Sequence, residues 1–288
     1  ESPRSPLSVA QPALVSEVYG DYVEAGAQLL TTNTWDANRP KLAKFDWADS
    51  LEKINRASVR LAHEAAAGEY VLVAGDVGPL GQLVKPYGPL TKAMVRELFR
   101  EQIRILLEEK VDLLLFETFS STLEATEAVK AARELSREIP VLASMTFLAD
   151  GKTTFGTEVV EALSALEEAG ADVVGLNCTI GPQETLEVFQ KVVSRVGVPV
   201  AAMPNAGYPW VVSGRTVYPA TPDYFREVAR DFVKAGAAIV GGCCGTTPAH
   251  VAAMAKEVAG KKRAPVERVA RAFVSAPSAP APEALETS

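Results

Sequence analysis

Histidine is nearly absent, with two residues, His63 and His250, in a chain of 288. Any metal centre here must therefore lean on sulfur or oxygen. Cysteine is scarce as well: Cys178, Cys243 and Cys244 are the whole supply. Three thiols in a chain of this size do not make a disulfide framework, and a reducing, cytoplasmic setting is the simplest expectation. Positive charge is in deficit, 29 lysines and arginines against 36 acidic residues, a net charge of −7. Nothing in that balance favours nucleic acid or an anionic membrane. No apolar run approaches the ~20 residues of a membrane-spanning helix. The amino-terminal Glu1-Ser2-Pro3-Arg4-Ser5-Pro6 lacks the apolar core of a secretion signal. What the chain does have is 48% hydrophobic residues, enough for a sizeable core.

Residues 1–12 are polar and proline-rich and read as an entry loop. Leu14, Val15, Val18, Tyr22 and Val23 then recur at helical spacing, which predicts a helix over 12–25. A β-rich strand follows at 28–34. From there the alternation is regular. Strands are expected at 71–75, 112–118, 140–147, 172–178, 199–203 and 237–242. Helices are expected at 50–67, 91–109, 122–136, 157–169, 182–196, 221–235 and 248–259. Three helix-to-strand joints share a small-residue turn: Ala25-Gly26-Ala27, Ala169-Gly170-Ala171 and Ala235-Gly236-Ala237. Glycine there supplies the left-handed cap, and the recurrence suggests one repeated unit. Strict alternation of unbroken apolar strands with helices implies a parallel sheet covered on both faces.

That makes seven strands, and a closed barrel needs eight. The expected fold is α/β, a (β/α)8 TIM barrel with its first strand missing from this sequence; the competing fold is an open doubly wound sheet. Residues 1–260 are expected to form the barrel. Residues 261–288 contain a basic run and the proline-rich stretch 275–282, the composition of a linker toward a following domain.

All three cysteines close apolar strands. Cys178 ends the strand at 172–178; Cys243 and Cys244 sit in Gly241-Gly242-Cys243-Cys244-Gly245-Thr246-Thr247-Pro248, between the last strand and the last helix. In a barrel these ends open on one face, and strands lie ~4.8 Å apart. Thiols from alternate strands can then share one ion, with Zn–S near ~2.3 Å. Three protein ligands leave a fourth position, the pattern of a catalytic zinc. Asn205, on the loop of the intervening strand, could fill that position through its amide oxygen. Such a centre suits capture of an incoming thiol as a thiolate, for methyl or alkyl transfer to sulfur. The plainer readings are a packing role for Cys178 and a phosphate site in the glycine-rich corner.

Thr32-Asn33-Thr34, Gly75-Asp76-Val77-Gly78-Pro79, Phe116-Glu117-Thr118-Phe119, Asn177-Cys178, Pro204-Asn205-Ala206-Gly207 and the Gly-Gly-Cys-Cys-Gly-Thr element together resemble the homocysteine S-methyltransferases. Within that family the nearest likeness is to the homocysteine-binding module of the cobalamin-dependent methionine synthases. The resemblance runs from about Pro12 to Gly260. It implies zinc on Cys178, Cys243 and Cys244, with Asn205 as a weak ligand that homocysteine displaces, and Glu117 holding the substrate's ammonium group. It further implies methylcobalamin as methyl donor, supplied by another domain, with cobalamin-binding and folate-binding domains on the same longer chain. The family's first strand and its Asp-Gly-rich loop have no counterpart here.

On the residues alone, a carboxylate at Glu117 needs a cationic partner, either a substrate amine or a structural side chain. Asp76 and Asn33 are further candidates to orient substrate; each could instead cap a turn. His63 and His250 read as structural. Tyr208 and Trp210 could wall the donor's approach or simply pack. Alternatives to the synthase module are a stand-alone or reductase-fused enzyme using S-methylmethionine or S-adenosylmethionine, and, in another class, a non-catalytic zinc-binding barrel.

Overall fold

The computed structural model describes residues 3–261. The proline-rich stretch expected as a linker lies outside the described residues. Seven parallel strands form one sheet in strict chain order: β1 (Leu29–Thr31), β2 (Leu72–Val77), β3 (Leu113–Phe119), β4 (Val141–Met145), β5 (Val173–Asn177), β6 (Val200–Met203) and β9 (Ile239–Val240). All six strand pairings are parallel. Two further strands, β7 (Trp210–Val212) and β8 (Arg215–Val217), form a separate antiparallel hairpin between β6 and the next helix.

Helices connect the strands in the expected places: α2 (Pro12–Glu24), α4 (Leu51–Ala66), α5 (Lys92–Glu108), α6 (Thr122–Leu135), α7 (Val159–Ala169), α8 (Pro182–Val192), α9 (Pro222–Lys234) and α10 (Pro248–Val258). Their starts follow local chemistry. Thr91, Ser121 and Thr221 cap α5, α6 and α9 through side-chain oxygens that accept from the third residue on. Proline stands in the first turn of α2, α8, α9 and α10, where its missing N–H costs nothing. Two short helices went unread in the sequence, α1 (Leu7–Ala10) and α3 (Arg39–Ala43). The first of them corrects the expectation of an entry loop over 1–12.

The sheet has two packed faces. Outward residues such as Val73, Leu114, Ala143 and Val174 join the helices in the main core. Inward residues Ala74, Leu113, Leu115, Leu142, Val173, Ala201 and Met203, with Leu29 and Ile239 against them, form a second, smaller core. The pleat alternates, so inward positions farther along these strands include Asp76, Glu117, Ser144 and Asn177. The interior thus changes from apolar to polar at the carboxyl ends of the strands. The outer layer continues from α10 to α2. Tyr22 of α2 donates to the Thr246 carbonyl at 3.0 Å, and a Cβ on Gly26 would lie 3.2 Å from Ala255 Cβ. Strands β1 and β9 are not paired with one another.

Candidate metal centre and substrate mouth

The cysteine corner is stitched to its neighbours through the backbone. The Cys178 amide donates to Met203 O at 3.1 Å, Cys243 to Pro204 O at 2.8 Å, and Ala206 to Cys244 O at 2.8 Å. The ends of β5, β6 and β9 are therefore held at one level. Cys178 and Thr179 leave β5 with φ of 61° and 66°, a left-handed conformation that non-glycine residues hold only where surroundings enforce it. The Cys178 carbonyl accepts from the Ile180 amide at 2.8 Å, and the Ile180 carbonyl from the Asn205 amide at 3.2 Å.

The result is convergence. The three sulfur atoms lie within 4.8 Å of one another, and Cys178 Sγ is 3.7 Å from Cys244 Sγ. Thiolates sharing a tetrahedral zinc at ~2.3 Å stand roughly 3.8 Å apart, so the donor set and its spacing both fit that ion. Hydrogen bonds from Cys178 and Cys243 hold the Cys244 thiol down, to about 2. The same contacts, with burial added, push Cys243 far above the ordinary thiol range. Three sulfur donors meeting at one point make a soft ligand set, which suits a soft cation.

Asn205 is buried beside the corner, and its Oδ1 accepts from the Cys244 amide at 3.1 Å. An amide oxygen has two lone pairs, so one is still free. Glu117 lies two residues past Leu115 on the inward face of β3. Burial, followed by the charge on Cys244, raises its carboxyl to about 7. Asp76 is 4% exposed, and its Oδ1 has no hydrogen-bond partner among the described residues. Burial first, then Glu117, push its carboxyl well above the usual range, with Lys41 pulling the other way. Lys41 Nζ sits 3.3 Å above the Trp35 ring, and burial lowers it to about 8. The structure thus gathers the thiols, Asn205, Glu117 and Asp76 at the carboxyl ends of the strands. Asn33 stands apart: its amide nitrogen donates to Arg4 O and Ser8 Oγ, both at 3.1 Å, which ties α1 to the end of β1.

Two residues that organise this mouth carried no such role in the sequence. Asn177 accepts from the Thr118 amide at 2.9 Å and donates to Thr118 Oγ1 at 2.8 Å. The same Nδ2 faces Glu117 Oε2 at 3.4 Å and Cys243 Sγ at 3.8 Å, so one side chain links the acid to the thiols. Its position just before Cys178 was the only hint. Thr118 has φ of 66°, and the β3–β4 register shifts between Phe116 and Phe119; nothing local in the sequence announces that bulge. His250 is structural, as expected. Its Nδ1 meets the Thr247 hydroxyl at 2.8 Å, its Nε2 meets Ala220 O at 2.9 Å, and Phe225 packs on its ring. Tyr208 and Trp210 stand exposed on and beside the hairpin.

The homocysteine S-methyltransferase family model matches residues 2–258. A methionine synthase of Mycobacterium tuberculosis is 34% identical over 89% of this chain, and one of Mycobacterium leprae 33% identical over 94%. The chain spans only 22% and 23% of the length of those relatives. Among solved structures, the metallated form of the homocysteine methyltransferase MmuM from Escherichia coli superposes with a TM-score of 0.72 at 26% identity, over 87% of this chain and 86% of that one. Its apo form gives 0.66, also at 26% identity. Among the described residues, no helix is long and apolar enough to cross a membrane.

Proposed function

The chain belongs to the homocysteine S-methyltransferase family, and from that premise we propose that it is the homocysteine-activating module of a methionine synthase, transferring a methyl group to the homocysteine thiol to give methionine. The observation that carries this is the meeting of three sulfurs within 4.8 Å on the same mouth as Glu117. Cys178, Cys243 and Cys244 would hold zinc, with Asn205 Oδ1 as the adjacent weak donor. Zinc held by thiolates lowers the pKa of a coordinating thiol, so that homocysteine sulfur is nucleophilic at neutral pH.

The chain's own residues supply the rest. Among the described residues no cationic side chain is bonded to Glu117, and its raised carboxyl would ionise fully once an ammonium group arrives. Asp76, one strand away, offers a second carboxyl to the same amino-acid end. Asn177 fixes the distance between acid and sulfur. The donor on this reading is methylcobalamin from a cobalamin-binding domain, with a folate-binding domain to recharge it. The length of the curated relatives supports further domains. The MmuM likeness, which covers 87% of this chain and 86% of that one, favours the rival of a stand-alone homocysteine methyltransferase. A reducing, cytoplasmic location would keep the thiols free for the metal.

The deciding assay supplies homocysteine with free methylcobalamin in one arm and S-methylmethionine in the other. Methionine should form in the first arm, in proportion to bound zinc, and should vanish in Cys243→Ala. Product only from S-methylmethionine would favour the stand-alone enzyme. Zinc uptake without product in either arm would favour a storage barrel.

A further inference from the structure

One polar side chain on the inner face of the sheet has no part in the metal centre. Ser144, on β4, is fully buried, and its hydroxyl has no hydrogen-bond partner among the described residues. It points inward. Leu142, two residues before it, belongs to the inner core, and Ala143 between them to the outer one. The next strand gives the same direction. Ser144 pairs with Gly175 of β5, and a Cβ built on that glycine would lie 2.5 Å from Ser144 Oγ. The hydroxyl therefore fills the place where an inward side chain of β5 would stand. A buried hydroxyl left unpaired is costly. Groups of this kind hold a partner that is not protein, either a water or a ligand.

The neighbours identify the ligand. On the β3 side the register shifts: Phe116 pairs with Ala143 and Phe119 with Met145, so Glu117 and Thr118 together stand opposite Ser144. On the β5 side Asn177 lies two residues beyond Gly175 on the same face, with its Nδ2 3.4 Å from Glu117 Oε2. Asp76 of β2 pairs with the inward Leu115, and its Oδ1 is also buried without a partner among the described residues. Three consecutive strands thus bring three sets of oxygen lone pairs onto one face. An ammonium group presents three N–H donors, and Glu117 and Asp76 account for two. We propose that Ser144 is a specificity-determining residue of the homocysteine site, its hydroxyl accepting the third N–H of the substrate's ammonium group. This rests on the reading of Glu117 given above. It also gives Gly175 a purpose, since any side chain there would take the space that the hydroxyl occupies.

The test measures binding to the zinc-loaded protein by titration calorimetry, for the parent and for Ser144→Ala. Two thiols are compared, homocysteine and 4-mercaptobutyrate, which is homocysteine without its amino group. Both can offer sulfur to the metal; only homocysteine brings N–H donors to the oxygens. In Ser144→Ala, homocysteine binding should weaken about 10-fold, and 4-mercaptobutyrate binding should stay nearly unchanged. Thermal melting should not fall, because the variant removes an unpaired hydroxyl and leaves no new one. A loss shared equally by the two thiols would overturn the proposal, since the hydroxyl would then serve the fold or a bound water. Unchanged homocysteine binding would overturn it too. If the parent shows no preference for homocysteine over 4-mercaptobutyrate, the ammonium reading of Glu117 falls as well. If the parent has that preference and Ser144→Ala keeps it in full, only this proposal falls.

Discussion

A buried carboxylate oxygen without a partner is costly, and Asp76 Oδ1 has none among the described residues. The chain tolerates it by holding the proton: burial and the neighbouring Glu117 raise its pKa well above the usual range. A carboxyl group raised in the folded state stabilises the fold fully below its unfolded pKa of ~3.9, and that contribution is lost as pH climbs through the raised value. Asp76→Asn keeps the shape and abolishes the ionisation. Thermal melting should therefore place the variant level with the parent near pH 4 and above it at pH 8, while homocysteine binding weakens. Equal melting at pH 8 would mean that the carboxyl is not buried alone. At this scale the sequence was legible where the chemistry is singular. Three cysteines closing apolar strands have few innocent explanations, and Glu117 stands out as a charge ending a run of leucines. Asn177 was not legible as a hub, because its partners Thr118, Glu117 and Cys243 are 59 to 66 positions away in the chain. Asn33 shows the converse: the motif is present, yet its amide serves α1.

Elements connect these residues to the fold, and the corner between β9 and α10 is the tightest of them. It carries the paired cysteines, the turn at Gly245 and the capping pair Thr247–His250. Gly245→Ala would add a side chain at positive φ, which costs ~1–2 kcal/mol, and would also drive a methyl group into the Tyr218 ring. The predicted outcome is a melting temperature lower by several degrees together with weakened zinc uptake, measured on the same preparation. A variant that melts and binds zinc like the parent would show that the ring is free to move aside. The long elements were readable because their apolar periods are clean, and strands β2 to β6 fall within a few residues of expectation. The hairpin was not. Its strands span three residues each and their side chains are exposed on both faces, so no alternation marks them. Helices α1 and α3 are short, begin beside prolines and bury few side chains, which leaves no period to detect.

Across the whole molecule, the strand order β1 to β6 and then β9 is what turns three distant stretches of sequence into one mouth. Parallel strands in chain order send every carboxyl end the same way, and the inner face becomes polar at that end. Alternation alone implied this arrangement. It could not tell how the sheet's two outer edges relate, since that depends on contacts such as those joining α2 to Thr246 and Ala255. The similarity to MmuM at a TM-score of 0.72 agrees with the barrel-type fold expected here, whose seven strands are one short of a closed barrel's eight. The central claim, that Cys178, Cys243 and Cys244 grip one zinc and leave a place for substrate sulfur, is tested most directly by zinc X-ray absorption on the loaded protein before and after adding homocysteine. The account predicts one zinc per chain with three sulfur neighbours at ~2.3 Å, becoming four when homocysteine is present. Two or fewer sulfurs, or a count that homocysteine leaves unchanged, would contradict it.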